Sequence, residues 1–312
     1  MKHRSRAALA DRLLGGQTAA LARAISLVER GTPESIDLIK TLHPHFGHAL
    51  SIGVTGPPGV GKSTLVSGLI HALRNAGHRV GVIAVDPSSP LSGGAVLGDR
   101  VRMGEHDLDA DVFIRSLASR GEQGGLSAAA GRVIDLMDAA GYGRVILETV
   151  GAGQSEVDVA ELADARVVVC APGLGDEVQA VKAGILEIAD VLVVNKADLP
   201  LADAAVRQLV AAVRLRSGAG AEVPILKTNA AGQEGVSALL QAIERCLSYL
   251  PRRPEDRARR RFRRLIAKTA ATEAEHRVMN AERERLDPIC DAVQRGELTL
   301  EQAAQACLDP DR

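Results

Sequence analysis

The residues Gly56-Pro57-Pro58-Gly59-Val60-Gly61-Lys62-Ser63-Thr64 follow the pattern G-x-x-x-x-G-K-S/T of a phosphate-binding loop. Glycines let successive backbone N–H groups converge on phosphate oxygens, and a helix starting here adds the positive end of its dipole. Lys62 would reach the β and γ oxygens, and the Ser63 hydroxyl would ligate Mg²⁺. An apolar run from Ser51 to Thr55 precedes the loop and a helical pattern follows it, which is the setting that this chemistry requires.

Asn195-Lys196-Ala197-Asp198 closes a second apolar run, Val191 to Val194, in the order N-K-x-D with which GTP-binding proteins read guanine. The Asp198 carboxylate can accept from both the ring N–H and the exocyclic amine of guanine, two donors that adenine does not present, while the Lys196 stem covers the base. Thr228-Asn229-Ala230 stands where such proteins usually have Ser-Ala; Asn229 departs from that pattern and leaves the backbone N–H of Ala230 as the candidate for the guanine oxygen. The expected nucleotide contacts are therefore Gly56, Gly59, Val60, Gly61, Lys62, Ser63, Thr64, Asn195, Lys196, Asp198, Asn229 and Ala230.

Glu148-Thr149-Val150-Gly151 is an acid-x-x-G element in which the carboxylate would hold Mg²⁺ through water and the glycine N–H would sense the γ-phosphate. No Gln directly follows Gly151, and Gln154 lies three residues on. Slow intrinsic hydrolysis is expected, with a partner or second subunit completing the site. Asp86, in Asp86-Pro87-Ser88-Ser89, and Asp99, in Gly98-Asp99-Arg100, could approach the metal or serve equally well in Asx turns.

These motifs need a scaffold. Apolar β-rich runs recur at Ser51–Thr55, Val80–Val85, Val112–Arg115, Arg144–Leu147, Val167–Cys170, Val191–Val194 and Val223–Leu226, separated by longer helical stretches. Several are continuously apolar, as in strands buried on both faces of a parallel sheet. The pattern predicts an α/β fold with a doubly wound, largely parallel sheet. Before it, Leu21, Ala24, Ile25 and Val28 mark an amphipathic helix ended by Gly31, and Thr32-Pro33 starts another that ends before Pro44. After it, Ala258, Phe262, Leu265, Ile266 and Thr269 form a narrow helical stripe, expected to bury against a second subunit, and Thr299 with Gln302 makes a capping box. The expected divisions are an N-terminal helical extension over 1–48, the nucleotide-binding domain over 49–250 and a C-terminal helical arm over 251–312.

Composition excludes several classes. At 312 residues with a formal charge of -1, no whole-molecule field collects nucleic acid or anionic membrane. Aromatics at 2% leave no base-stacking platform, and Cys170, Cys246, Cys290 and Cys307 form no C-x-x-C pair. No apolar run is long enough to span a bilayer and Met1 to Leu14 lacks the features of a secretory signal, so a cytoplasmic location is expected. His43, His45 and His48 could arrange themselves as in a metal-delivery GTPase, although no cysteine is near. Eight arginines fall between Arg252 and Arg264; with Glu255 and Asp256 among them, a solvated helix face or partner contact is favoured over RNA or lipid.

The phosphate loop, the strings D-P-S-S-P and G-G-A-V-L-G-D-R between Asp86 and Met103, E-T-V-G-A-G-Q-S-E from Glu148 to Glu156, and P-G-L-G-D-E-V-Q-A-V-K from Pro172 to Lys182 together resemble the MeaB/ArgK family. Its members are P-loop GTPase chaperones of adenosylcobalamin-dependent acyl-CoA mutases, methylmalonyl-CoA mutase above all. The resemblance implies that Ser63, Asp86, Asp99 and Glu148 surround Mg²⁺. It also implies that Asp176, Gln179 and Lys182 lie on a mobile segment coupling nucleotide state to the mutase. Lys62, Glu148, Gln179 and Lys182 then form the expected catalytic set, GTP/GDP and Mg²⁺ are the cofactors, and the C-terminal arm forms a homodimer. Glu122-Gln123 departs from the family's usual His-Leu. The implied function is a Mg²⁺-dependent GTPase that gates adenosylcobalamin loading, protection or repair of a mutase, without nucleic-acid or membrane partners. A nickel-type insertion chaperone and a targeting GTPase are the alternatives, and the guanine-reading loop argues against a small-molecule kinase.

Overall fold

A computed structural model describes residues 2–86, 104–106, 108–118, 125–149, 162–173, 185–217, 223–280 and 283–308. Its centre is a seven-stranded sheet: β1 (Leu50–Thr55), β2 (Val80–Asp86), β3 (Val112–Ala118), β4 (Arg144–Thr149), β5 (Ala165–Cys170), β6 (Val191–Val194) and β7 (Ile225–Lys227). The spatial order is β3-β2-β4-β1-β5-β6-β7, and every pairing is parallel. The winding reverses at β1, between β4 and β5, which places the crevice of a doubly wound sheet at the carboxyl end of β1, where the phosphate loop begins.

Continuously apolar runs are buried on both faces. Ile52, Val54, Val80, Val82, Ile146 and Val167 face helices α4 (Lys62–Asn75) and α8 (Val236–Ser248). The alternate residues Ile83, Val85, Val145 and Leu147 face α5 (Gly125–Ala139) and the N-terminal helices α1 (Lys2–Leu14), α2 (Thr18–Glu29) and α3 (Pro33–Leu42). A smaller cluster joins Val168, Leu192 and Val194 to α6 (Ile185–Ile188) and α7 (Ala202–Ser217). At this scale burial of a Val or Leu side chain contributes about 1.5–3 kcal/mol.

Strand β3 runs three residues beyond the apolar stretch, to Ala118, because it stays in register with β2 from Val80↔Val112 to Asp86↔Ala118. Arg115 interrupts its apolar pattern yet is served by Glu29 of α2 at 2.5 Å. At the other edge, β7 begins at Ile225 rather than Val223, since Pro224 has no N–H for the ladder; its carbonyl still accepts from Leu192 N–H at 2.9 Å.

The helix starts follow the sequence closely. Thr32 caps α3 by accepting from Ser35 N–H at 3.3 Å, with Pro33 as first helical residue. Thr299 and Gln302 exchange the two bonds of a capping box (2.9 and 3.3 Å) at the start of α11 (Leu300–Leu308). Helix α1, the first of the expected N-terminal helical extension, buries Leu9, Ala10 and Leu13.

The long helix α9 (Pro254–Met279) corrects one expectation. Its stripe packs on this chain's own core: Ala258 is buried, Phe262 and Leu265 contact the cluster beneath the N-terminal helices, and Ile266 alone among the apolar three is exposed. The Leu265 methyl groups lie 2.5 and 2.8 Å from where a Cβ on Gly131 would stand, so the two helices approach closely only because residue 131 is glycine. The arginine run is also not a uniformly solvated face. Arg261 is 4% exposed and pairs with Asp135 of α5 at 2.6 Å, while Arg257 and Arg264 donate to the carbonyls of Gly47 and Ala163. Helix α10 (Arg283–Gln294) follows.

Candidate nucleotide-binding site

The loop after β1 curls through left-handed backbone at Gly56, Gly59 and Gly61, with φ of 147°, 78° and 89°. Gly61 is the N-cap of α4, so the helix starts with its N–H groups facing the loop. Lys62 is buried and its ammonium donates to the carbonyls of Gly56 (2.7 Å) and Pro57 (2.8 Å), which concentrates positive charge inside the curl. Val60 is fully buried and anchors the loop in the core; Thr64 is exposed.

Beside Lys62, the Ser63 hydroxyl donates to Glu148 Oε1 at 2.5 Å. Glu148 is 1% exposed at the end of β4, and its neighbour Thr149 donates from Oγ1 to Thr55 Oγ1 at 2.9 Å, tying the ends of β1 and β4 together. A buried carboxylate against a hydroxyl beside a phosphate loop is a pair of hard oxygen donors, the donor type Mg²⁺ takes. The backbone end of β2 at Asp86 lies beside this point, since Val85 pairs with Thr149. The Asp86 side chain lies outside the described set, as do Asp99, Asp176, Gln179 and Lys182.

The third loop clamps the first. Asn195, 2% exposed, donates from Nδ2 to Val60 carbonyl at 2.8 Å, and its Oδ1 accepts from Thr228 Oγ1 (3.0 Å) and Ala230 N–H (3.1 Å). Lys196 adopts φ 56° and reaches back to the Gly59 carbonyl at 2.8 Å. Ala197 N–H donates to Thr228 carbonyl at 2.9 Å. Asp198 is exposed at the mouth of this clamp. The phosphate loop thus meets the loop at 195–198, more than a hundred positions away in sequence, and that loop in turn holds the one at 228–230.

Two details refine the expectation. The Ala230 N–H is engaged by Asn195 in this structure, so reading the guanine oxygen would require that bond to be shared or exchanged. Asn229 closes its own turn, with its backbone N–H donating to Glu234 carbonyl at 3.0 Å and its Oδ1 accepting from Gly232 N–H at 3.4 Å. Thr228 as a partner of Asn195 is not evident from the sequence. A buried amide must satisfy both ends, which signals that partners exist without saying which.

The histidine group behaves differently. His43 stacks on Phe262 with ring centroids 5.4 Å apart and also contacts Phe46, and among the described residues no group of three or more His, Cys, Asp or Glu side chains is arranged to hold a metal ion.

The family model for the methylmalonyl Co-A mutase-associated GTPase MeaB matches residues 21–285, a span that includes the phosphate loop, Glu148 and the N-K-A-D loop. The chain belongs to the MeaB family. It is 45% identical over 259 residues to a putative GTPase of Pyrococcus abyssi, covering 82% of this chain and 80% of that protein. It is 40% identical over 200 residues to the mitochondrial methylmalonic aciduria type A homolog of Mus musculus, covering 60% of this chain and 48% of that one. A crystal structure titled as a LAO/AO transport system kinase aligns with a TM-score of 0.74 and 27% identity over 97% of this chain and 96% of the other. As a MeaB-family GTPase the protein has a P-loop GTPase fold and handles guanine nucleotide. No helix among its described residues is long and apolar enough to cross a membrane.

Proposed function

We propose that this MeaB-family protein is a Mg²⁺-dependent cytoplasmic GTPase, slow alone and stimulated by its client, that times adenosylcobalamin loading, protection or repair of an acyl-CoA mutase of the methylmalonyl type. The observation that carries the reading is the clamp in which Asn195 and Lys196 grip the carbonyls of Val60 and Gly59. It joins a guanine-reading loop to a phosphate loop in one unit, as a switch that must report nucleotide identity requires.

Within this reading Lys62 serves the γ-phosphate charge, the start of α4 donates backbone N–H groups to the phosphates, and Asp198 selects guanine. Mg²⁺ would be held by Ser63 and Glu148, with Asp86 and Asp99 completing its set, and would neutralise phosphate charge when bound. Gln179 and Lys182 are assigned to the client-activated site, and the helices beyond residue 250 to a homodimer contact. The aromatic stacking of His43 against Phe262 gives that residue a packing role and weighs against nickel insertion through the histidine group.

The guanine assignment has its own test. Asp198→Asn is expected to weaken GTP at least about tenfold and to improve xanthosine triphosphate, because the amide offers a donor to the xanthine oxygen and no longer accepts from two guanine donors. Calorimetric titration of both nucleotides decides it, and an unchanged preference would remove Asp198 from base recognition.

A further inference from the structure

The loops that bear the nucleotide motifs follow the carboxyl ends of the strands. At the opposite end of the sheet lies a cavity of about 1090 Å³. It is bounded by the residues that start β5, β6 and β7 and by the last turns of α8. Asp164 and Arg166 stand at the start of β5, Asp190 just before β6, Pro224 just before β7, and Cys246 and Tyr249 at the end of α8. A six-residue parallel strand separates the two ends by about 20 Å, so this cavity is no part of the nucleotide site.

A second cavity of about 380 Å³ adjoins it through Arg166 and is lined by Arg264, Ala267, Lys268 and Ala271. With Arg260 of the larger cavity these residues fall at i, i+4, i+7, i+8 and i+11 of α9. They form one helix face about 16 Å long. The core-facing stripe Ala258, Arg261, Phe262 and Leu265 occupies another face. The result is a single extended groove.

Among its described lining residues, cationic side chains outnumber carboxylates. Asp190 is taken bidentately by Arg166 (2.8 and 3.0 Å), and Asp164 accepts from the N–H and hydroxyl of Ser51. Glu187 is the one further carboxylate among the described residues of the larger cavity and has a partner of its own, and the described lining of the smaller cavity includes no carboxylate. Arg214, Arg245 and Arg260 are exposed, and none makes an ion pair with a described residue. The same lining holds the apolar Val210, Val213, Pro224 and Ile225, and Tyr249, also in it, is 83% exposed.

The larger cavity alone reaches the upper bound of small-ligand sites, about 300–1,000 Å³, and the groove continues past it, which favours a length of chain over a small molecule. We infer that this groove, a face that the homodimer contact proposed for the C-terminal arm leaves open, is a docking site for an acidic amphipathic segment of a partner protein, its carboxylates on Arg214, Arg245 and Arg260 and its apolar residues on the apolar part of the lining. Guanidinium groups suit carboxylates through paired N–H donors, and the partner-facing ring of Tyr249 fits an interface anchor. The inference is independent of the mutase reading and of GTP.

The test uses the full chain with saturating GDP and a fluorescein-labelled peptide of alternating Glu and Leu, followed by anisotropy. The wild type is expected to bind it, with affinity falling as salt is raised, and not to bind a matched peptide of Lys and Leu. The exposed triple variant Arg214→Glu/Arg245→Glu/Arg260→Glu should lose about tenfold or more in peptide affinity while its circular dichroism and GDP affinity stay as in the wild type. Absence of acidic-peptide binding, or binding untouched by the triple variant, would overturn the assignment. So would displacement of the peptide by millimolar inorganic phosphate, which would make the groove a small-anion site. A change of oligomeric mass in the triple variant, read by light scattering, would overturn it too, by showing that a second copy covers this face.

Discussion

Lys62→Ala is expected to reduce GTP turnover by at least about 10²–10³-fold, the scale of losing one preorganised charge at a developing oxyanion. In the structure the ammonium sits inside the curl of the phosphate loop on the carbonyls of Gly56 and Pro57. Its loss therefore removes both a positive charge and two bonds that shape the loop. The fold should survive, because Val60 and the apolar face of α4 hold the loop in the core. Phosphate release and circular dichroism measured on the same sample check both halves. Turnover near wild type with an intact spectrum would mean that this loop does not carry the chemistry.

The largest expected effect on stability lies far from the nucleotide. Arg261 of α9 is buried against Asp135 and 3.8 Å from Asp138, and Asp138 in turn accepts from the N–H groups of Gly47 (2.5 Å), His48 (3.0 Å) and Ala49 (2.8 Å). One side chain thus joins α9, α5 and the approach to β1. Arg261→Ala strands a buried carboxylate and is expected to cost about 3–5 kcal/mol. Burial pushes the Asp135 carboxyl up to about 6, with Arg261 pulling it down and Asp138 adding to the rise. The folded state then binds more protons than the unfolded one between about pH 4 and 6, so this group's contribution to stability falls as pH rises through that window. Without Arg261 the carboxyl rises further, and the penalty must be larger at pH 8 than at pH 5. Urea unfolding at the two pH values measures it. An equal cost at both would mean that charge is not what Arg261 supplies, and Arg261→Met/Asp135→Leu should recover most of the loss if it is.

The sheet was legible because continuously apolar strands such as Val191–Val194 leave little choice of environment, and β6 keeps those bounds in the structure. The strand ends that differ, at Ala118 and Ile225, were set by pairing with β2 and by a proline beside β6, which no local pattern reports. In the site, the residue types of the phosphate loop and of Asn195-Lys196-Ala197-Asp198 announced their chemistry, but the clamp between them did not. The bond from Asn195 to Val60 spans 135 positions. The stripe on α9 looks thin in sequence because its core partners, Gly131 and the cluster around the N-terminal helices, lie in distant segments. Arg261 was hidden for a related reason: eight neighbouring arginines look alike in sequence, and only packing singles out the one at a helix contact.

The central proposal, a GTPase whose cycle serves an adenosylcobalamin enzyme, is tested most directly by phosphate release with and without a purified adenosylcobalamin-dependent acyl-CoA mutase. No Gln follows Gly151 to order the attacking water, so the client is proposed to complete the site through Gln179 and Lys182. GTP turnover is expected to rise at least about tenfold, about 1.4 kcal/mol of barrier. Lys182→Ala should lose most of that rise while keeping GTP affinity and mutase binding. A rate that stays flat with every such mutase, loaded with cofactor or not, would contradict it.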